Sequence, residues 1–156
     1  HFYGHPSVSC RVCRDIMNRL HADNFTKDRL CRIVKYHDLV FEKDRRLLKR
    51  WMNRFGADMM LDILEIKKAD NSATGNMEES LKLKFDEIRV IMEQILEEQQ
   101  CFCLKDLAID GRDVIAAGVE PGPEVGRVLK RLLTDVIDEE LPNDKDVLRE
   151  HILTEN

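Results

Sequence analysis

A chain of 156 residues in which 43% are apolar and 35% are charged can bury a core, and this balance excludes an intrinsically disordered protein. No apolar run approaches the roughly 18 residues that span a bilayer, and the first residues have no signal-peptide pattern, so we expect a cytoplasmic protein. Charge is unevenly divided, because residues 1–70 carry a net +5 and residues 71–156 a net −10. If nucleic acid binds, the basic front half is expected to supply the contacts.

Apolar residues recur at three- and four-residue intervals almost throughout, which predicts an all-α fold, a bundle of about eight helices in two sub-domains. The helices expected in the front half span residues 6–20, 24–37, 44–55 and 59–66. Asn24 or Thr26 is expected to cap the second helix, and Gly56 to end the third. The polar run 70–76 has the composition of a loop. The first helix carries four aliphatic residues, four apart on one face: Val8, Val12, Ile16 and Leu20.

The rear half is predicted to begin with the longest helix, which ends near Gln100. A short helix at 112–117 and an amphipathic helix at 125–137 follow, separated by a turn at 121–123. Pro142 interrupts the pattern, and Asn143 or Asp144 is expected to cap a final helix. We see no internal repeat.

The residues offer no convincing catalytic centre. Nucleotide transfer needs carboxylates that converge on magnesium, usually from strands, and no strand is predicted. The segment 118–123 lacks the lysine of a phosphate-binding loop. The five cysteines lack the two short-spaced pairs typical of structural zinc, so we interpret them as reduced thiols that pack as small apolar residues. No catalytic residue is predicted.

One group has metal-binding character: His5, His37, Asp38 and Asp70. Histidine nitrogen and carboxylate oxygen suit a transition metal or magnesium, and helix bundles build such sites from inward-facing side chains. Other histidines are scattered along the chain, so ordinary structural histidines remain the alternative.

A basic stripe on the third predicted helix is stronger evidence. Positions 46, 50 and 54 stand four apart, as do 45 and 49, while the apolar residues of this segment face the other way. A cationic face of this kind suits phosphates, although a solvated surface is the alternative. The predicted RNA-binding residues are Arg45, Arg46, Lys49, Arg50 and Arg54, with Lys35 on the preceding helix.

Two stretches carry a family resemblance, residues 104–114 (LKDLAIDGRDV) and 118–129 (GVEPGPEVGRVL), and residues 141–145 continue it. They resemble the C-terminal segment of bacterial CCA-adding enzymes, in the class II tRNA nucleotidyltransferase and poly(A) polymerase family. At the front, residues 1–9, 36–38 and 68–70 are similar to elements of that family's HD-like domain. The resemblance implies an HD-like domain at 1–75, incomplete at its N-terminus, and a C-terminal tRNA-nucleotidyltransferase helical domain at 76–156.

The resemblance also implies what the chain does. The family adds nucleotides to the 3′ end of tRNA with a head domain that binds magnesium and ATP or CTP, and neither the head nor the neck has a counterpart here. The rear helical domains hold the tRNA elbow, so the resemblance implies tRNA binding without catalysis, and no cofactor in this chain. The expected partners are tRNA and the head and neck of the same polypeptide. His5, His37 and Asp70 match positions of the HD-like metal site and would form half of it.

Two other functions stay open. The chain could be a metal-dependent phosphohydrolase of the HD superfamily, with His37 and Asp38 as the metal-binding doublet and His5 and Asp70 completing it. It could instead be a helical protein-interaction module that forms a homodimer through an exposed helix. Metal analysis tests the first alternative, and the oligomeric state tests the second.

Overall fold

The computed structural model describes residues 5–73, 75 and 78–155, and the side chains of residues 5–7 and 155 lie outside that description. The described residues form eight α-helices and a short 3-10 helix with no strand among them, which confirms the all-α prediction. The helices are α1 His5–Arg19, α2 Asn24–Tyr36, α3 Arg45–Phe55, α4 Ala57–Ala73, α5 Glu79–Glu97, the 3-10 helix Leu104–Asp106, α6 Gly111–Ala116, α7 Pro123–Ile137 and α8 Lys145–Glu155. None of the helices in the described part of the chain is long and apolar enough to cross a membrane.

Side-chain caps set several helix starts, and one differs from the prediction. The cap of α2 is Asp23, because its Oδ1 accepts a hydrogen bond from the Thr26 amide at 3.0 Å, so the prediction of Asn24 or Thr26 was wrong. At α8 one of the two predicted caps, Asp144, is confirmed, since its Oδ1 accepts a hydrogen bond from the amide of Val147 at 3.1 Å. Gly56 separates α3 from α4 with a φ of +84°, the left-handed conformation that glycine adopts most readily.

The polar run 70–76 was predicted to be a loop, but α4 continues through its first part to Ala73. Asn71 Nδ2 donates a hydrogen bond to Lys67 O at 2.8 Å, and Ser72 Oγ donates to Lys68 O at 3.0 Å. Each side chain therefore bonds a carbonyl one turn earlier, as polar residues in a helix can do. Residues 74, 76 and 77 lie outside the described part of the run.

The chain divides into two compact units. The first comprises residues 1–43 and 55–91, and the second comprises residues 44–54 and 92–156. Within the first unit α1 packs on α2 and α2 on α4, with Met60, Ile63 and Leu64 fully buried. Within the second, α6, α7 and α8 enclose a core that includes Leu132 and Leu148. The predicted domain boundary after residue 75 stays a prediction.

The aliphatic face of α1 is exposed. The four residues predicted for this face are 51%, 49%, 44% and 67% exposed, in the order Val8, Val12, Ile16 and Leu20, and Leu20 directly follows the last residue of α1. The helix meets α2 through a different face, where Cys31 Sγ lies 3.6 Å from Cys10 O. All five cysteines are free thiols, and Cys31 and Cys101 are buried. Burial raises the pKa of Cys101 to about 11, so this thiol stays protonated at neutral pH.

Candidate nucleic-acid interface

Helix α3 supplies the predicted cationic stripe, and its two faces follow from local sequence. Asp44 starts the helix, because its Oδ1 accepts hydrogen bonds from the amides of Arg46 at 2.9 Å and Leu47 at 3.1 Å. Leu48 and Met52 are buried, at 0% and 1% exposure. With the apolar residues inside, Arg46 and Arg50 lie on the exposed side of the helix.

Acidic residues at the end of α7 pair with this stripe. The Arg50 guanidinium donates two hydrogen bonds to the Asp138 carboxylate, from Nε to Oδ1 at 2.7 Å and from Nη2 to Oδ2 at 2.6 Å. Arg46 Nε lies 3.6 Å from Glu139 Oε2, and Arg46 Nη1 donates to Asp138 O at 3.4 Å. We call Asp138 and Glu139 the acidic turn. Much of the positive charge of the stripe is therefore balanced inside the second unit.

Lys49 is buried, although it belongs to the predicted RNA-binding set. It is 4% exposed, and its Nζ lies 3.2 Å from Glu139 Oε1. A charge this deep needs a partner, because leaving water costs an ammonium group several kcal/mol. Glu139 supplies that partner, so Lys49 acts in the structure as one half of an internal ion pair.

The other predicted RNA-binding residues also have neighbours within their own units. Arg45 Nη2 lies 2.5 Å from Glu98 Oε2. The Arg54 guanidinium lies 5.7 Å from the centre of the Trp51 ring, a cation–π distance. Lys35 belongs to α2 in the first unit, with its Nζ 5.4 Å from the centre of the Tyr36 ring. A role of these cations in RNA binding stays a prediction.

Sequence reasoning missed the acidic turn. The only local signal was the acidic run 138–140 directly after an amphipathic helix, which has the composition of an ordinary solvated helix end. Asp138 stands 88 positions beyond Arg50, and no periodic pattern links residues so far apart. Helix α3 itself contains no acidic residue, and the carboxylates that pair with its arginines come from the distant turn.

The predicted metal ligands are only partly described. His37 caps the end of α2, where its Nδ1 donates to Val34 O at 2.6 Å and its Nε2 lies 3.5 Å from Asp38 Oδ1. Asp70 is exposed on α4, and the side chain of His5 lies outside the described residues. Among the residues that are described, no three His, Cys, Asp or Glu side chains are grouped so as to hold a metal ion. The set of His5, His37 and Asp70 stays a prediction.

Because of the Arg50–Asp138 pair, we expect the free energy of unfolding to depend on pH in the acidic range. The side-chain hydrogen bonds from Arg50 hold the pKa of Asp138 below its ordinary value of about 3.9. A folded pKa below the unfolded one gives stability that is fully present above the unfolded pKa and is lost as the pH falls through the folded pKa. The difference in unfolding free energy between wild type and Asp138→Asn is therefore expected to shrink as the pH falls below about 4. Urea unfolding at a series of pH values measures it, and a pH-independent difference would contradict the assignment.

Comparison with known proteins gives the family. Residues 7–152 match the family described as tRNA nucleotidyltransferase domain 2. A CC-adding tRNA nucleotidyltransferase of Thermus thermophilus is 26% identical over 133 residues, which are 85% of this chain and 29% of that protein. A CCA-adding enzyme of Levilactobacillus brevis is 48% identical over 44 residues, or 28% of this chain and 11% of that protein. A CCA-adding enzyme of Limosilactobacillus reuteri is 47% identical over 49 residues, or 31% of this chain and 12% of that protein.

The curated relatives are longer proteins, since the chain spans less than a third of each one described above. No solved structure matches the chain. The family match nevertheless covers almost all of the sequence, including both compact units. This chain therefore belongs to the tRNA nucleotidyltransferase domain 2 family.

Proposed function

We propose that this chain is a non-catalytic, helical, tRNA-binding part of an enzyme that adds nucleotides to the 3′ end of tRNA in the cytoplasm. The observation that carries the proposal is the family match over residues 7–152. The similarity to a CC-adding enzyme over 85% of the chain supports it. In this reading the nucleotides are joined by a catalytic domain of the whole enzyme, and the helices described here hold the tRNA.

The exposed side of α3 is the surface that we propose for the phosphates. The side chains of Arg46 and Arg50 are 60% and 57% exposed, so both guanidinium groups can reach a ligand without unfolding the helix. Arg54 continues the same row one turn further on. Guanidinium groups bind phosphate with two parallel hydrogen bonds, which suits a row of them to an RNA backbone.

Titration of tRNA into the purified chain at several salt concentrations tests the function. Wild type is expected to bind with an affinity that falls as salt rises, because phosphate contacts release counterions. At about 50 mM salt, Arg54→Glu is expected to weaken binding roughly tenfold, and to flatten the slope of log affinity against log salt by about 1. Arg46 and Arg50 are better replaced by glutamine, since a glutamate at either position would face a carboxylate of the acidic turn.

Lys82→Glu is the matched control, because it makes the same change of net charge at an exposed position of α5 in the acidic half. It is expected to leave tRNA affinity within about twofold of wild type, since Lys82 is not part of the proposed row on α3 and salt screens the charge of an exposed side chain. Absence of tRNA binding by the wild-type chain would refute the function. If Lys82→Glu loses as much tRNA affinity as the arginine variants, the assignment of the phosphate contacts to α3 is refuted, but the tRNA-binding function is not.

A further inference from the structure

The acidic turn occupies the positions on α3 that an RNA backbone would need. The two oxygens of Asp138 accept the parallel hydrogen bonds of the Arg50 fork, the same arrangement that a phosphate accepts from arginine. Glu139 places one oxygen 3.6 Å from Arg46 Nε and the other 3.2 Å from Lys49 Nζ. A single turn thus offers its carboxylates to three of the five predicted cations of α3.

We propose that Asp138 and Glu139 are selectivity residues that compete with RNA phosphates for the cations of α3. The proposal rests on the proposed function, because it concerns the same surface. A phosphate that approaches Arg50 must replace the Asp138 carboxylate, so each contact yields less free energy than it would on a bare arginine. Short or poorly matched polyanions therefore bind weakly, whereas an RNA that replaces several pairs at once still binds.

The exposures show which partner can move. The Asp138 side chain is 14% exposed, whereas that of Arg50 is 57% exposed. The carboxylate is held in the protein, and the guanidinium at the end of its long side chain can turn towards a ligand. The Arg46 side chain is 60% exposed and has the same freedom. Its distance of 3.6 Å to Glu139 is longer than the 2.6 Å between Arg50 and Asp138. Lys49, with a side chain 5% exposed, keeps Glu139 in place while the arginines exchange partners.

The backbone also holds the acidic turn in position. The amide of Asp138 donates a hydrogen bond to Thr134 O at 2.9 Å. This bond closes the last turn of α7, directly before Glu139. Glu139 has a φ of +62°, a left-handed conformation that is uncommon for a residue with a side chain. Such a residue persists where its surroundings hold it, and here its carboxylate lies between Arg46 and Lys49.

Neutral variants of the turn test the proposal, with the next residue as control. Asp138→Asn and Glu139→Gln each remove one negative charge and keep an oxygen that can accept a hydrogen bond. Glu140→Gln makes the same change of charge in the same turn, at a residue that raises the pKa of Arg50 less than Asp138 or Asp44 does. Binding of tRNA and of a short single-stranded oligonucleotide is measured for all four proteins across a salt series, and thermal unfolding verifies that each is folded.

Relative to wild type, Asp138→Asn and Glu139→Gln are expected to bind the short oligonucleotide roughly three- to tenfold more tightly at about 50 mM salt, with a salt slope steeper by up to about 1. The gain in affinity for tRNA is expected to be smaller, so the ratio of tRNA affinity to oligonucleotide affinity falls in both variants. Glu140→Gln is expected to change either affinity less than twofold. Affinities that are unchanged or lower in both variants, or raised equally in the control, would overturn the proposal.

These outcomes separate the proposal from the function on which it rests. If wild type binds tRNA and neither turn variant gains affinity for the oligonucleotide, the competition is refuted and the tRNA-binding function stands. If wild type fails to bind tRNA but the turn variants bind both nucleic acids, the competition is supported and the function of this chain as a tRNA-binding part is refuted. If no protein binds either nucleic acid, both are refuted.

Discussion

Replacing Leu148 by alanine is expected to lower the free energy of unfolding by about 2–5 kcal/mol. Leu148 is 0% exposed and lies in the core of the second unit, together with Val114, Leu132 and Ile152. The shorter side chain removes apolar atoms from this core and leaves a cavity that the surrounding helices fill only partly. Urea unfolding monitored by circular dichroism measures the loss. An unchanged slope of unfolding free energy against urea concentration indicates that the unfolded state is the same.

Leu153→Ala is the matched control, because it makes the same substitution on the same helix at a residue that is 61% exposed. It is expected to change stability by less than about 0.5 kcal/mol, as surface substitutions usually do. Similar losses in the two variants would mean that α8 does not bury Leu148 as described.

Gly122→Ala is expected to destabilise the protein by about 1–3 kcal/mol through its backbone. Gly122 precedes α7 with φ +151° and ψ −161°, a conformation that is essentially restricted to glycine. Apart from the two adjacent residues, no atom lies within 4 Å of the position of a Cβ at Gly122, so a clash with packed side chains contributes nothing to the loss. Thermal and urea unfolding of the variant measure it.

Gly126→Ala separates this backbone effect from a general effect of adding a methyl group. Gly126 also has open space around the position of a Cβ, but it lies inside α7 with an ordinary helical conformation. Alanine is expected to stabilise the protein here by about 0.5–1 kcal/mol, because glycine loses more backbone entropy in a helix. Destabilisation of the same size at both positions would contradict the backbone argument at Gly122.

The helices were predictable because their signals are local. Four-residue spacing of apolar side chains identified α3 and α7, and the stop at Gly56 and the cap at Asp144 were expected from residue type. The cap of α2 was predicted wrongly because Asp23, Asn24 and Thr26 are all good capping residues. Their order alone does not decide which one leaves the helical conformation.

Sequence by itself determined the helical class and the family, because apolar periodicity and a long ordered motif lie within short stretches of chain. The tertiary structure alone decided which charges are balanced and which apolar face is covered. Arg50 meets Asp138 and Lys49 meets Glu139 across about 90 residues, while the aliphatic face of α1 stays exposed. Periodicity tells which side chains share a helix face, but the partner of that face depends on how distant segments pack.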